Sequence, residues 1–277
     1  METAFRSVPH PATTLPLHSA GPHQGAASVQ QLEHRSFNAW PAPRCAVVGD
    51  WLLRSTQGYT KRANSANALQ AAAPLNAPLL RHIEAFYARQ GLPSIFRLSP
   101  LADDAVDALL HAHGYQVVEP SVFMQRVMQA DDGARQSAQG LQLAQSLQAQ
   151  WLQGYCVASE HTPHQQRAHG LILQSIGMPC AYACLVREGQ VRAWGLAVLE
   201  REAVGIYEVL VHPAYRGQGL GRQMLQALLR WAAQQGATHA DLQVRGGNLP
   251  AQQLYASLGF EPVYGYHYRV RQALASA

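Results

Sequence analysis

The stretch Val211-His-Pro-Ala-Tyr-Arg-Gly-Gln-Gly-Leu-Gly-Arg222 decides how the chain is interpreted. An apolar run over 206–211 precedes its glycines, and an amphipathic pattern over 222–235 follows them, which predicts a strand, a glycine loop and a helix. Free N–H groups and the positive end of the helix dipole make such a helix start a binding site for an anion. Glycines also let the backbone approach a phosphate closely.

Three other kinds of structure contain similar glycine strings, and each can be compared with this sequence. A simple turn would use glycines as well, and a Walker loop is excluded because no Lys-Ser or Lys-Thr pair follows them. Asp241 lies at about the distance that a dinucleotide-binding fingerprint requires. However, three successive strands predicted over 179–187, 190–201 and 204–212, with a tight turn at Glu188-Gly189, argue against a doubly wound sheet.

A second stretch, Asn248-Leu-Pro-Ala-Gln-Gln-Leu-Tyr-Ala-Ser-Leu-Gly-Phe260, follows at a fixed distance. Together the two stretches resemble the GNAT superfamily of acetyl-CoA-dependent N-acetyltransferases, whose hallmark Q/R-x-x-G-x-G/A is met by Arg216, Gly219 and Gly221. The resemblance covers about residues 141–270. It implies an α/β (α+β) GNAT fold, with a mixed central sheet flanked by helices, and a reaction in which an amine attacks the acetyl carbonyl directly in a ternary complex.

The resemblance also implies where acetyl-CoA would bind as co-substrate. Backbone amides of Gly217, Gln218, Gly219, Leu220, Gly221 and Arg222 would hold the pyrophosphate, beside Arg216. The pantetheine arm would pair with the strand edge at Val209, Leu210 and Val211, where a backbone amide would polarise the thioester carbonyl. Asn248 would hold the coenzyme arm, cap the following helix, or do both.

The reaction that the resemblance implies includes two proton transfers, one from the amine and one to the departing thiolate of CoA, and each needs a side chain. Tyr255 stands at the family's position for the general acid, although it could also be a packing tyrosine. Glu208 is the candidate general base, directly or through a water; otherwise it is an exposed edge residue or the partner of an arginine. Strand alternation predicts that its side chain points the same way as Ile206 and Leu210. Some peptide-acetylating relatives carry Glu where this chain has Gln243, which cannot act as a base.

A faded repeat divides the chain into two halves. Predicted helices end at Gly91 and Gly236, and second helices end at Gly114 and Gly259, with 23 residues between the glycines in each half. The N-terminal half lacks a glycine loop, and its Arg62 and Asn64 are candidates for contacting an acceptor across the two halves. The resulting division is a flexible tail (1–30), a degenerate GNAT-like half (31–129), a linker (130–140) and a catalytic GNAT domain (141–277). In the N-terminal half, 45–56 is predicted as one strand that turns at Gln57-Gly58 towards a partner over 59–68.

Composition limits the other function classes. The formal charge of +4 comes from scattered arginines and one lysine, without the basic stripe of a nucleic-acid binder, so no nucleic-acid partner is expected. No apolar run reaches the ~18–20 residues of a spanning helix, and no export signal is evident, so we expect a cytoplasmic protein with no membrane partner. The four cysteines form no CxxC pair, which predicts neither a disulfide framework nor a metal.

The sequence therefore predicts an N-acetyltransferase acting on a small-molecule or peptide amine. The alternatives are a non-catalytic CoA-binding sensor or interaction module, and an acyltransferase for longer acyl chains. Neither the identity of the amine nor the oligomeric state follows from the sequence.

Overall fold

The computed structural model describes residues 28–134 and 137–271. The first half of this described chain contains three helices and five strands. They are α1 (Val29–Ala39), β1 (Arg44–Val48), β2 (Trp51–Ser55), β3 (Ala66–Ala68), α2 (Ala77–Ala88), β4 (Ser94–Leu98), α3 (Asp104–Ala112) and β5 (Gln116–Val127).

The second half contains four helices and six strands. They are β6 (Leu141–Ala144), α4 (Ala149–Ala158), α5 (Pro163–Gln174), β7 (Cys180–Arg187), β8 (Gln190–Glu200), β9 (Ala203–Val211), α6 (Leu220–Gln234), β10 (His239–Arg245), α7 (Leu249–Ala256) and β11 (Glu261–Arg271). The order helix, strand, helix, strand over α2–β5 is the same as over α6–β11.

All eleven strands of the described chain join one mixed sheet in the order β1-β2-β3-β4-β11-β5-β10-β9-β8-β7-β6. The last strand of each half is therefore exchanged: β5 of the first half pairs with β10, and β11 of the second half pairs with β4. The two exchanged strands also pair with each other, antiparallel, in the centre of the sheet. Each half thus completes its share of the sheet with a strand from the other half.

The first half differs from its sequence prediction at the edge of the sheet. The strand predicted over 45–56 is a hairpin, because β1 and β2 pair antiparallel through a turn at Gly49 and Asp50. Gly49 has a φ of +57°, which a glycine adopts without strain. The segment predicted as its partner, 59–68, contributes only the short β3 after a 3-10 turn at Lys61–Ala63.

Helix α1 was not predicted, although its start carries a sequence signal. Ser28 and Gln31 form a capping box, in which each side chain accepts a hydrogen bond from the other residue's backbone. Residues 1–27 of the predicted tail lie outside the described residues, and Val29 and Gln30 already belong to α1.

Helix α1 connects the two halves across one face of the sheet. Arg35 forms an ion pair with the buried Asp241 of β10 at 2.6 Å. The buried Glu33 pairs with Arg97 of β4 and accepts a hydrogen bond from Tyr264 of β11. Breaking a buried ion pair by removing one partner costs about 3–5 kcal/mol, so these contacts fix α1 on β4, β10 and β11.

Helix α6 covers the opposite face of the second half. The apolar positions of its amphipathic pattern are buried: Leu225, Leu228, Leu229 and Ala232. They pack on β7, β8 and β9 within one apolar cluster. Gly195 of β8 permits this close approach, because a Cβ there would lie 2.9 Å from Leu228 and Met224.

Candidate active site

The glycine loop lies between β9 and α6, as the sequence predicts. Gly217 and Gly219 have φ values of +76° and +75°, and a Cβ at either position would meet nothing within 4 Å. Gly219 is the N-cap of α6, and no side chain caps the helix. The first amides of α6 are therefore available to a ligand, at the positive end of a 15-residue helix.

The loop residues around these glycines differ in their contacts. Gln218 and Arg222 are exposed, Gly221 is half-buried, and Leu220 packs into the core. Arg222 donates a hydrogen bond to Ser257 Oγ at 2.6 Å, which ties α6 to the end of α7.

Strands β9 and β10 diverge beside the loop. Their parallel pairing runs from Ala203↔His239 to Ile206↔Leu242 and stops there, while β10 continues its pairing with β5 to Arg245. Val209, Leu210 and Val211 are half-buried. On the other side of β9, Leu210 pairs with Trp194 and Val211 with Ala193 of β8. The edge of β9 that faces the gap is thus free to pair with an extended ligand. Arg216 folds back onto β9, and its Nε lies 3.4 Å from the carbonyl oxygen of Val211.

A bulge in β9 redirects Glu208. Leu196 pairs with Tyr207 and Trp194 with Leu210, so Glu208 and Val209 together oppose Gly195. Glu208 has a φ of +53°, a left-handed conformation that is uncommon for a residue with a side chain and is often found at functional sites.

The bulge overturns the orientation that alternation predicts. Ile206 packs into the cluster beneath α6, whereas Glu208 contacts His169 on the opposite face of the sheet, where Tyr207 and Leu210 also pack. Glu208 therefore points the same way as Leu210 but opposite to Ile206, because the extra residue breaks the two-residue period.

Glu208 lies in a nearly closed environment with a histidine beside it. Its side chain is 11% exposed, and one carboxylate oxygen lies 3.3 Å from Nε2 of the fully buried His169 of α5. Burial acts to raise the pKa of Glu208, but contacts with His169 and Tyr155 and the charge of Arg62 outweigh it and hold the pKa below its ordinary value. The carboxylate is thus kept ionised in a site that excludes most water.

His169 belongs to a chain of polar groups that leads away from Glu208. Its Nδ1 lies 3.8 Å from Cys156 Sγ, which in turn is 3.4 Å from Nδ1 of His161. Burial, with a smaller effect of Glu208, raises the pKa of the Cys156 thiol to about 11. The three ligand atoms lie within 4.8 Å of one another and are of the kinds that zinc prefers, so this cluster has the donor set that could hold a metal.

Tyr255 lies on α7, facing the same apolar cluster as α6. Its ring contacts Phe260 at a centroid distance of 6.1 Å, and among the described residues its hydroxyl has no hydrogen-bond partner. Burial raises the pKa of Tyr255, and the charge of Arg62 acts in the opposite direction. The hydroxyl therefore holds its proton at neutral pH.

Asn248 is the N-cap of α7, and its Oδ1 accepts a hydrogen bond from the backbone amide of Ala251 at 3.3 Å. Asn248 therefore caps α7, one of the two roles that the sequence indicates for it. Its side chain is exposed at the same end of the sheet as the loop.

Asn64 does not face an acceptor. It is 3% exposed, and its side chain bonds to the amides of Thr56 and Gly58 and to the carbonyls of Tyr59 and Thr60. It therefore shapes the loop before β3. By contrast, Arg62 places its guanidinium over the rings of Trp40 and Tyr207, at 5.6 and 5.8 Å from their centroids.

The structure brings the glycine loop, β9, Glu208 and α7 to one end of the second half's sheet. Sequence reasoning missed His169, Tyr155 and the Cys156 cluster, because their helices precede the recognised motifs by some 50 residues. The only sequence signal was a histidine within the apolar pattern of α5. No helix in residues 28–134 and 137–271 is long and apolar enough to cross a bilayer.

Comparison with protein families gives one match over most of the chain. Residues 26–271 match the family described as "Probable histone acetyltransferase Rv0428c C-terminal". The chain is also 27% identical over 250 residues to the uncharacterized N-acetyltransferase YobR of Bacillus subtilis, covering 88% of this chain and 99% of that protein. A shorter match, 33% identical over 76 residues, is to the Escherichia coli [ribosomal protein bS18]-alanine N-acetyltransferase and covers 27% of this chain and 51% of that protein.

Solved structures share the fold at low sequence identity. A GCN5-related N-acetyltransferase from Kribbella flavida superposes with a TM-score of 0.66 at 17% identity, covering 90% of this chain and 98% of its own. A tandem GNAT protein from the clavulanic acid biosynthesis pathway superposes with a TM-score of 0.60 at 15% identity, covering 93% and 91% of the two chains. The mixed sheet flanked by helices is therefore the GNAT fold, which confirms the fold that the sequence predicts.

Proposed function

The chain belongs to the Rv0428c C-terminal family and is an acyltransferase of the GNAT type, and from this premise we propose that it transfers an acetyl group from acetyl-CoA to an amine by direct attack in a ternary complex. The observation that carries the proposal is the bulge in β9, which places the ionised Glu208 beside the gap between β9 and β10.

The residues around the glycine loop fit acetyl-CoA. The uncapped start of α6 offers backbone amides from Gly217 to Arg222 to a pyrophosphate, and the two glycines leave open space there. The free edge of β9 at Val209, Leu210 and Val211 suits the amide groups of the pantetheine arm, with Asn248 at the end of the gap. When bound, acetyl-CoA would supply the acetyl group as a thioester.

Glu208 would act as the general base. An amine with a pKa of ~10 is mostly protonated at pH 7 and must lose a proton before its lone pair can attack a carbonyl carbon. The lowered pKa of Glu208 keeps its carboxylate free to take that proton, directly or through a water. His169 would fix its orientation as a positioning residue.

Tyr255 would act as the general acid. A new C–N bond forms as the C–S bond breaks, and the departing sulfur is stabilised by a proton. The Tyr255 hydroxyl has that proton at neutral pH and has no competing partner among the described residues. A β9 backbone amide would stabilise the charge that develops on the carbonyl oxygen.

This chemistry requires no metal, nucleic acid or membrane, and we retain the sequence prediction that none of them takes part. Metal analysis of the purified protein tests the first of these at the Cys156 cluster. Zinc at one equivalent per chain would contradict the prediction that no metal takes part.

Isothermal titration with acetyl-CoA and with CoA tests the site, using Gly219→Asp as the variant. The aspartate places a negative charge at the proposed pyrophosphate site, so affinity should fall about 100-fold or more. Gly189→Asp is the matched control: Gly189 has a φ of +73° and equally open surroundings, but lies in the β7–β8 turn. Two sites per chain, or equal affinity in both variants, would overturn the assignment of the loop.

A further inference from the structure

A cavity of about 180 Å³ lies where the two halves meet. It borders the part of β10 that continues past the β9–β10 pairing, where the gap of the proposed active site begins. Its walls come from the loop before β3, from β5, from β11 and from the part of β10 beyond its pairing with β9. Its lining includes Lys61, Arg62, Glu119, Gln243, Arg245 and Tyr266. The volume is below the ~300–1,000 Å³ of pockets for drug-sized ligands, so it suits a small molecule or a chain end.

Arg62 is a cation without a carboxylate partner in the described chain. Its backbone carbonyl accepts a hydrogen bond from the buried Arg54 at 2.8 Å, which fixes the loop. Its guanidinium lies over Trp40 and Tyr207, yet it forms no hydrogen bond or ion pair with any residue in 28–134 and 137–271. An arginine held in this way presents a rigid set of donors to a planar anion.

Gln243 adds a second donor without a partner. Its Oε1 accepts hydrogen bonds from Tyr266 at 2.9 Å and from Arg97 at 3.5 Å, which orients the amide. Its Nε2 is buried and has no partner among the described residues. A buried donor left unpaired is unfavourable, so an acceptor group on a ligand would satisfy it.

The cavity has an excess of positive charge. Lys61 and Arg245 share one carboxylate, Glu119, at 2.7 and 3.4 Å. Arg62 forms no ion pair with a described residue, although its charge and that of Glu208 act on each other at longer range, and the Arg62 charge also acts on Tyr255. Arg62 lies over the ring of Tyr207, the residue before Glu208, and Gln243 follows the last residue of β10 that pairs with β9, so a ligand bound here would lie beside the segment of β9 that carries Glu208.

We propose that the amine acceptor carries a carboxylate near its amino group, as an amino acid does, and that Arg62 and Gln243 bind this carboxylate. The inference rests on the proposed function and narrows its substrate class. A basic peptide tail would bring further positive charge to a cationic cavity and should be a poor acceptor. An arginine that served only to lower the pKa of Glu208 would act on every acceptor alike.

The test compares matched acceptors that differ in one group. Acetylation of L-leucine, L-leucinamide, isopentylamine and a lysine-rich peptide is measured as kcat/KM for the native chain, Arg62→Gln and Arg62→Lys. The native protein should prefer leucine to leucinamide by about 10- to 100-fold, and Arg62→Gln should remove most of that ratio. Arg62→Lys should restore part of it. Arg245→Gln, at the exposed rim, is the control and should leave the ratio within about threefold.

A second measurement is independent of turnover. N-acetyl-L-leucine and its amide are titrated into the protein saturated with CoA. Tighter binding of the acid, lost in Arg62→Gln, is expected. Equal binding or equal acetylation of acid and amide, or an equal effect of Arg62→Gln on both, would overturn the inference and leave the proposed function standing. Absence of acetyl-CoA binding would instead overturn the proposed function itself.

Discussion

His169 Nε2 lies 3.3 Å from a carboxylate oxygen of Glu208, inside the protein and on the face of β9 opposite α6. Glu208 is the residue of β9 that has a left-handed backbone conformation. Its contact with His169 links this point of β9 to α5, which is distant in sequence. Burial alone would raise the pKa of Glu208, and the contact with His169 is the largest of the effects that hold it below its ordinary value, ahead of Tyr155 and the charge of Arg62.

Replacing His169 should change the pH profile more than the maximal rate. In the native protein Glu208 has a lowered pKa, so the base is active above that pKa and is lost as the pH falls through it. In His169→Asn the largest of the effects that lower the pKa of Glu208 is lost while burial still acts to raise it, so the pKa should rise and the acid limb of kcat/KM should move to higher pH. His164→Asn, on the exposed face of the same helix, should keep the native profile. A uniform loss at every pH would show a purely structural role for His169.

Removing the carboxylate should affect chemistry rather than cofactor binding. For Glu208→Gln we expect kcat to fall about 100- to 10,000-fold, the usual contribution of a general base, with the dissociation constant of acetyl-CoA nearly unchanged. Stopped-flow or steady-state kinetics and titration calorimetry measure the two quantities. Glu202→Gln, on the exposed turn before β9, is the control. Native turnover in Glu208→Gln would exclude Glu208 as the base.

Tyr255→Phe should lower kcat about 100-fold, the lower end of the usual contribution of a general acid, at constant affinity for CoA. The hydroxyl has no hydrogen-bond partner among the described residues, so its loss should leave the melting temperature within about 1–2 °C of the native value. Thermal unfolding followed by circular dichroism checks this. If turnover is unaffected, Tyr255 is a packing residue only.

Gly195→Ala should destabilise the second half. The added Cβ would lie 2.9 Å from side-chain atoms of Leu228 and Met224, so these side chains, or α6 with them, would have to shift away from β8 opposite the bulge. Overpacking of this kind costs about 1–3 kcal/mol, measurable by urea denaturation. Gly177→Ala, where a Cβ would meet nothing within 4 Å, is the control and should change stability little. An unchanged urea midpoint for Gly195→Ala would mean that the interface between β8 and α6 accommodates the added methyl group without strain.

The sequence predicted most of the elements because the glycines and apolar periods act locally. Gly91, Gly114, Gly236 and Gly259 mark helix ends at positive φ, as their spacing indicated. The predicted order of strand, glycine loop and helix is also observed, as β9, the loop after it and α6.

Long-range features could not be predicted in this way. The bulge depends on the register of β9 against Gly195, which no pattern within β9 specifies. The contact of His169 with Glu208 depends on how α5 packs. The pairing of β4 with β11 likewise joins residues more than 160 positions apart. The hairpin of β1 and β2, by contrast, has a local signal that the prediction missed, the two-residue turn Gly49-Asp50 between two apolar runs.

The exchange of β5 and β11 gives the chain the topology of a homodimer whose subunits lend each other a terminal strand. Here the two "subunits" are covalently joined, so association is intramolecular and is governed by an effective concentration, in the mM range for short flexible linkers. Dilution therefore cannot separate the two halves of one chain. Neither half expressed alone would have neighbours for all its strands, whereas a chain cleaved between β5 and β6 would retain every pairing that crosses between the halves.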